Sequence, residues 1–304
     1  MNEIKIENGV CIAFGGTNAR VADWADNDIS NFSSVETPSK PDEFFKWMAR
    51  GVLKAADDGA HWVVAGFPGP VSSDGKIVGP MANIPGLNQK EYDLAMELTK
   101  ADPAAGRILE AGYPLVNVND GPLASHSAAA RMAQDKHDKV AALIIGTGQG
   151  TGIVSRDKDN PQVFREDRSN PTETGHLSSD PLDPTATFEN QISGPAIERR
   201  TGIDARDLAA EHPVWGDVGR KAGQLALYLG LMNGAQLVVP TGGVGAGASH
   251  KFRNHMEDTL TLVREYGNAT QRKFVPDVAY VDPKECQVFE LYGAGGIMAD
   301  VLSR

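Results

Sequence analysis

The stretch VCIAFGGTNARVAD, residues 10–23, places two apolar runs on either side of a glycine-rich turn at 15–17. The first run is long enough for a buried strand, and Gly-Gly-Thr between two such runs is typical of a β-hairpin. A second stretch, VAALIIGTGQGTGIVS at 140–155, repeats the order of strand, Gly/Thr-rich turn and strand. Identity alone is too low to call this a repeat, but the shared order indicates two halves built on one plan.

The residues after the first hairpin predict an α/β arrangement. A helix is expected between Pro41 and Gly59, because apolar residues recur there every four positions. A short apolar strand at 62–65 follows and runs into the loop GFPGP at 66–70. Strand, helix and strand in this order favour a βαβ unit. A later strand at 113–118 leads directly to Asn119 and Asp120, and functional side chains often lie at strand ends.

The second half continues with the same classes of element. The periodicity at 213–235 predicts a long core helix whose apolar stripe includes Met232, followed by a strand at 236–240. Residues 156–172 are polar and contain two prolines, so we expect an exposed excursion there.

Composition narrows the function classes. A chain of 304 residues favours two domains, and a net charge of −11 disfavours a nucleic-acid partner. Cys11 and Cys286 are the only cysteines and form neither a disulfide framework nor a metal-ligand cluster, so a reducing cytoplasm is expected. No signal-peptide pattern and no apolar run of about 18 residues is present, so neither export nor membrane insertion is expected.

Three Gly/Thr-rich turns, at 15–17, 146–148 and 241–243, each follow an apolar strand. Glycine leaves backbone N–H groups open to a phosphate, although for a single turn hairpin geometry is the simpler explanation. Neither the P-loop spacing nor the dinucleotide G-x-G-x-x-G spacing is present. Asn119 and Asp120 suit a sugar hydroxyl, or they form a turn and a helix cap.

Taken together, the short motifs resemble the bacterial glucokinases and the related ROK sugar kinases, over nearly the whole chain. The resemblance is carried by GGTNAR (15–20), GFPGPV (66–71), ANIPG (82–86), VND (118–120), GTGQGTG (146–152), ETGH (173–176), ENQISGPAI (189–197) and TGGV (241–244).

This resemblance implies a two-domain, actin-like (ribonuclease-H-like) α/β fold with an inter-domain cleft. The smaller N-terminal domain would span 1–120, the larger C-terminal domain 121–290, and the last helix, about 291–304, would pack back on the first domain. It also implies ATP and Mg²⁺ as cofactors and a hexose as substrate, with glucose first. A homodimer is left open.

The family pattern also implies a role for individual residues. Asp120 would be the base that takes the proton from the sugar 6-hydroxyl. The other groups are sugar ligands, phosphate-facing turns and an adenosine-facing turn: Asn83, Asn119, Glu173, His176 and Glu189 for the sugar; Gly15, Gly16, Thr17, Asn18, Gly146, Thr147 and Gly148 for the ATP phosphates; Gly242 and Gly243 for adenosine.

Two positions depart from the family pattern. The first phosphate motif normally carries an aspartate two residues before Gly-Gly-Thr, where it helps to hold Mg²⁺, and this chain has Ala13. A sugar-binding or regulatory homologue without kinase activity is therefore the alternative function, as is a kinase for another hexose such as mannose or N-acetylmannosamine. The second departure concerns the cysteine-rich zinc motif that many ROK proteins carry just after Glu-x-Gly-His. Here LSSDPLDPTATFE follows His176 and contains no cysteine, so no structural zinc is expected and no protein metal ligand is assigned.

Overall fold

The computed structural model describes residues 6–167, 174–180 and 182–304. The chain divides into two compact units: unit 1 comprises Met1–Ser127 with Glu290–Arg304, and unit 2 comprises Ala128–Phe289. The strands are β1 Gly9–Phe14, β2 Asn18–Ala25, β3 Asp28–Glu36, β4 Val63–Phe67, β5 Ile77–Val78, β6 Tyr92–Asp93, β7 Leu115–Asn119, β8 Lys139–Ile145, β9 Gln149–Arg156, β10 Phe164–Glu166, β11 Ser178–Asp180, β12 Asp183–Thr187, β13 Leu237–Thr241 and β14 Asp277–Val278. The α-helices are α1 Pro41–Asp57, α2 Leu94–Ala101, α3 Pro103–Glu110, α4 Asp120–Met132, α5 Glu189–Ile192, α6 Gly194–Thr201, α7 Val214–Asn233, α8 Gly242–Gly245, α9 Ser249–Tyr266, α10 Ala269–Lys273 and α11 Gly293–Leu302.

The main sheets of the two units have the same topology. Unit 1 has the strand order β3-β2-β1-β4-β7, and unit 2 has the order β10-β9-β8-β13-β14. In each sheet the first three strands are antiparallel and the last two pairings are parallel. The common plan expected from the two glycine hairpins is therefore confirmed at the level of topology.

The core of unit 1 lies on both faces of its sheet. Helix α1 buries Phe44, Phe45, Met48 and Val52 against one face, and the Phe14 ring lies 4.4 Å from that of Phe44. On the other face, helix α11 contributes Ala294, Ile297 and Met298 to an apolar cluster. A Cβ on Gly295 would overlap the Trp24 ring, so only glycine permits this close approach of the last helix to β2.

The core of unit 2 is built around α7 and α9. Val218, Ala222, Leu225 and Leu229 of α7 are buried, which confirms most of the predicted stripe. Met232 was wrongly included in that stripe: it is 70% exposed, because it lies in the last turn before Gly234, where φ of +71° ends the helix.

Some elements differ from the sequence-based expectation for identifiable reasons. Strand β3 was not predicted, because it is almost wholly exposed and lacks alternating apolar residues; it forms through backbone pairing with β2. The expected exposed excursion at 156–172 is partly wrong, since β10 pairs with β9 in its middle. The segment from Glu189 to Thr201 forms two helices rather than one, because Pro195 disfavours a continuous helix near Ser193.

The unit boundary falls inside α4, whereas the sequence placed the domain boundary at the start of this helix. Among the described helices, none combines the length and apolar composition needed to cross a lipid bilayer.

Candidate active site

The carboxyl ends of three parallel strands meet at one edge of the unit 1 sheet. The register pairs Ala13 of β1 with Gly66 of β4, and Phe67 of β4 with Asn119 of β7. The turn at 15–17, the loop at 67–70 and Asp120 therefore follow adjacent strand ends. Ligands of α/β folds are commonly bound at such an edge.

The first phosphate-type turn is held in shape by its own backbone and by Thr37. The Gly15 N–H donates to the Asn18 carbonyl at 2.9 Å, and a Cβ on Gly15 would lie 3.3 Å from that oxygen. The Thr37 hydroxyl donates to the Gly15 carbonyl at 2.7 Å, and the Thr37 N–H to the Thr17 carbonyl at 2.9 Å. Thr17 and Asn18 are exposed. Thr37 was not predicted from the sequence, because it lies after β3 and belongs to no recognisable motif.

Position 13 faces an ion pair. Ala13 is the direct partner of Arg20 in the β1/β2 pairing, so both side chains leave the same face of the sheet. The Arg20 guanidinium donates to the Glu290 carboxylate at 2.6 Å, and the two side chains are only 12% and 6% exposed. Burial raises the pKa of the nearby Cys11 thiol; the Arg20 charge opposes this shift and the Glu290 charge adds to it. A carboxylate therefore reaches this face from Glu290.

Asn119 and Asp120 connect β7 to α4. The Asn119 amide donates to the Gly69 carbonyl at 2.9 Å and to the Phe67 carbonyl at 3.4 Å, and its oxygen accepts from the Gly121 N–H at 2.8 Å. Asn119 thus fixes the loop after β4 to the start of α4. Asp120 is the first residue of this helix and is half-buried, at the end where backbone N–H groups favour negative charge.

Asn83 lies in a loop that is closed on itself. The Met81 N–H donates to the Leu87 carbonyl at 3.0 Å, and the Ile84 N–H to the Met81 carbonyl at 2.9 Å. Met81, Ile84 and Leu87 are buried and Asn83 is half-buried. These anchors give Asn83 a defined position in unit 1.

Unit 2 carries the second and third turns side by side. The Gly146 N–H donates to the Gly148 carbonyl at 2.9 Å, and the Gly146 carbonyl accepts from the Gly194 N–H at 2.8 Å. Gly242 has φ of +81°, and a Cβ there would lie 2.8 Å from the Ile145 carbonyl. The positive φ and the close approach both require glycine. Thr147 and Gly243 are exposed at this edge.

The expected sugar ligands of unit 2 are linked through Gln149. The Glu189 carboxylate accepts from the Gln149 N–H at 2.9 Å, and the Gln149 side chain bonds with the Thr174 hydroxyl in the 3₁₀ turn Thr174–His176. His176, at the end of this turn, is exposed. Glu173 was also expected here and lies outside the described residues. Sequence reasoning did not single out Gln149, because a glutamine at the start of a strand carries no distinguishing signal.

The described residues fit phosphate better than they fit a metal ion. Glycines at both hairpin turns leave the backbone open, as a phosphate requires. Among the described residues, no group of three or more His, Cys, Asp or Glu could hold a metal ion, Ala13 offers no ligand, and Glu290 is paired with a guanidinium. Mg²⁺ commonly keeps its waters and is held largely by substrate phosphates, so it would enter with a nucleotide.

Comparison with known proteins gives a consistent result. A model of the ROK family matches residues 9–271. No curated protein sequence gives a significant match. Among solved structures, a ROK hexokinase from Thermus thermophilus has a TM-score of 0.69 at 21% identity, covering 98% of this chain and 100% of that one.

Two further solved structures are of glucokinases. A ROK family glucokinase from Streptomyces griseus, in complex with glucose and AMPPNP, has a TM-score of 0.68 at 18% identity, covering 96% of this chain and 98% of that one. A glucokinase from Balamuthia mandrillaris in complex with glucose has a TM-score of 0.64 at 15% identity, covering 95% and 92%. At these identities the likeness shows the fold, which is the actin-like ATPase fold.

Proposed function

Because the chain belongs to the ROK family, we propose that it is an ATP-dependent hexose kinase that transfers the γ-phosphoryl group to the sugar 6-hydroxyl. Glucose is the first candidate, and mannose and N-acetylmannosamine are the next. Kinases of known structure share this fold, and one of them was solved with glucose and AMPPNP. A hexose and ATP, as its magnesium complex, are the proposed substrates.

The observation that carries the proposal is the position of Asp120. Asp120 is the first residue of α4 and lies at the same sheet edge as the turn at 15–17. A carboxylate at this place can orient the sugar hydroxyl and accept its proton while the hydroxyl oxygen attacks the γ-phosphorus. The bond from phosphorus to the sugar oxygen forms as the bond to the β-phosphate oxygen breaks, and ADP leaves.

The remaining residues have positioning roles in this proposal. Asn83 and Asn119 of unit 1, and His176 and Glu189 of unit 2, would bind the other sugar hydroxyls. The backbone N–H groups of the turns at 15–18 and 146–148 would bind phosphate oxygens, and those at 242–243 would lie near adenosine. Phosphoryl transfer depends mainly on such positioning and on charge neutralisation.

The first experiment is a coupled ADP-release assay with ATP and Mg²⁺ against glucose, mannose, allose and N-acetylhexosamines, each repeated without sugar. We expect sugar-dependent ADP release, and Asp120→Asn should lower kcat by about 10²- to 10⁴-fold while calorimetry still detects the sugar. Asp93→Asn is the matched control, because Asp93 accepts the Met96 N–H at the start of α2. This control should leave kcat within about twofold.

A sugar-binding homologue without kinase activity is the second candidate, and Ala13 is the observation that favours it. Because position 13 is an alanine, the carboxylate that helps to hold Mg²⁺ in this family is absent from its usual position. Sugar binding without sugar-dependent ADP release would support this candidate and contradict the kinase. Near wild-type turnover by Asp120→Asn would show that the assigned base is wrong.

A further inference from the structure

Gln149 lies at the junction of the phosphate turn and the expected sugar ligands of unit 2. It is the first residue of β9, directly after the turn at 146–148, and it is buried. Its backbone N–H donates to the Glu189 carboxylate at 2.9 Å. One carboxylate oxygen of Glu189 is thereby bound to the first residue of β9, the strand that follows the turn at 146–148.

The Gln149 side chain extends this link to a second segment. Its amide nitrogen, which carries two N–H donors, has three acceptors within hydrogen-bond distance: the Gly150 carbonyl at 2.8 Å, the Thr174 hydroxyl at 3.1 Å and the Thr151 hydroxyl at 3.4 Å. The two threonine hydroxyls are themselves 2.5 Å apart, and the Thr174 hydroxyl is 3.3 Å from the Gln149 amide oxygen. Gln149, Thr151 and Thr174 are all buried, so no bulk water replaces these bonds.

Close backbone packing confirms that this contact is specific. A Cβ on Gly175 would lie 2.5 Å from the Gln149 carbonyl oxygen and 2.7 Å from its side-chain oxygen. Gly175 therefore lets the turn Thr174–His176 lie directly on Gln149. A buried, fully bonded polar network of this kind holds its members in one arrangement.

We infer that Gln149 is a positioning residue that orients Glu189 and the turn bearing His176 for the sugar. The backbone of Gln149 holds the Glu189 carboxylate, and its side chain holds Thr174, two residues before the imidazole. The inference rests on the proposed function for the identity of the ligand. It assigns a positioning role to the buried side chain of Gln149.

The test is Gln149→Leu, which keeps the side-chain size and the backbone N–H and removes the amide. A neutral hydrogen bond is worth about a fivefold change in an equilibrium constant, so losing the bonds to both threonines should raise the sugar KM about 5- to 25-fold. The ATP KM should stay within about twofold. Gln149→Asn, whose shorter side chain cannot span the same bonds, is the second variant and should give the same direction.

Gln236 provides the matched control. Its side-chain oxygen accepts the backbone N–H groups of Asp138 and Lys139 at 2.5 and 3.2 Å, at the opposite end of the same sheet. Gln236→Leu therefore also removes a structural amide from unit 2, but the sugar KM should be unchanged. An equal rise in sugar KM for both variants would mean that general destabilisation is the cause and would overturn the inference.

Substrate analogues separate positioning from stability. Glucose derivatives that each lack one hydroxyl should show a KM penalty in the wild type wherever His176 binds the missing group, and this is the contact that the Gln149 side chain positions through Thr174. In Gln149→Leu this penalty should shrink, because the protein ligand is already misplaced. A penalty of unchanged size at every hydroxyl would overturn the inference.

Hydrogen exchange tests the network independently of catalysis. The peptide that contains residues 174–176 should exchange about fivefold faster or more in Gln149→Leu than in Gln236→Leu. Unchanged exchange would overturn the positioning role even if the protein is an active kinase. Faster exchange in a protein that phosphorylates no hexose would instead contradict the proposed function and leave the Gln149 link established.

Discussion

Replacing Glu290 by leucine should destabilise unit 1 strongly, because it removes the carboxylate that Arg20 binds. The two side chains are 12% and 6% exposed, and their nitrogen–oxygen distance is 2.6 Å. The Ser127 hydroxyl also donates to the Glu290 carbonyl at 2.9 Å, which fixes this segment to α4. After the substitution the Arg20 guanidinium would still lie beside Cys11 and Ala13, but its carboxylate partner would be gone.

The size of the effect follows from this burial. Removing one partner of a buried ion pair costs about 3–5 kcal/mol, and the residual exposure of Arg20 favours the lower end, about 3 kcal/mol. With a urea m-value of about 2 kcal/mol/M, the unfolding midpoint should fall by about 1.5 M. The double variant Arg20→Leu/Glu290→Leu should recover most of this loss, since no charge then remains buried.

Urea unfolding followed by tryptophan fluorescence is a suitable assay, because Trp24, Trp47 and Trp62 all lie in unit 1. Glu43→Gln is the matched control: the Lys40–Glu43 pair is 76% and 59% exposed, and its loss should cost less than about 1 kcal/mol. Equal midpoints for Glu290→Leu and Glu43→Gln would refute the reasoning. So would a double variant that is no more stable than Glu290→Leu.

Two further predictions concern neighbouring positions. The single variant Ala13→Asp should lower stability, because it adds a second carboxylate to a buried face. The double variant Ala13→Asp/Glu290→Leu should be more stable than either single variant, because the introduced carboxylate can then pair with Arg20. Urea midpoints test this, and additive losses of stability would contradict it. Burial lowers the pKa of His126 to about 4. Between about pH 6.5 and pH 4, His126 therefore takes up a proton in the unfolded chain but not in the folded chain. The free energy of unfolding falls as the pH falls through this window. In His126→Asn the urea midpoint should depend less on pH over that range; an unchanged dependence would exclude His126 as the cause.

Much of the fold could be predicted because hydrophobic pattern and glycine turns are local signals. The hairpins around 15–17 and 146–148 and the buried faces of α1 and α7 all follow from spacing. Strand β3 could not, since its apolar residues Ile29, Phe32 and Val35 do not alternate with polar ones, and it is extended because it pairs with β2. Met232 could not be placed correctly for a different reason: the apolar periodicity continues into the last turn of α7, where the side chain is exposed.

The site divides in a similar way. Asp120 and the glycine turns are adjacent to their motifs along the chain, so sequence order predicts them. Thr37 and Gln149 are linked to the site segments by hydrogen bonds to carbonyl, hydroxyl and carboxylate oxygens, and such bonds leave no pattern in the sequence. A role of this kind becomes visible only when the strand register and the loop packing are known.

Ala13 shows why a missing motif residue is weak evidence for a missing charge. Position 13 has no carboxylate, yet the guanidinium that faces it binds one from a residue 270 positions further along than Arg20. Electrostatic interactions depend on distance in space and on local burial, not on position in the chain. The carboxylate of Glu290 therefore supplies negative charge to this face as the partner of Arg20, and the stability of Ala13→Asp/Glu290→Leu measures whether a carboxylate at position 13 can replace it in that pair.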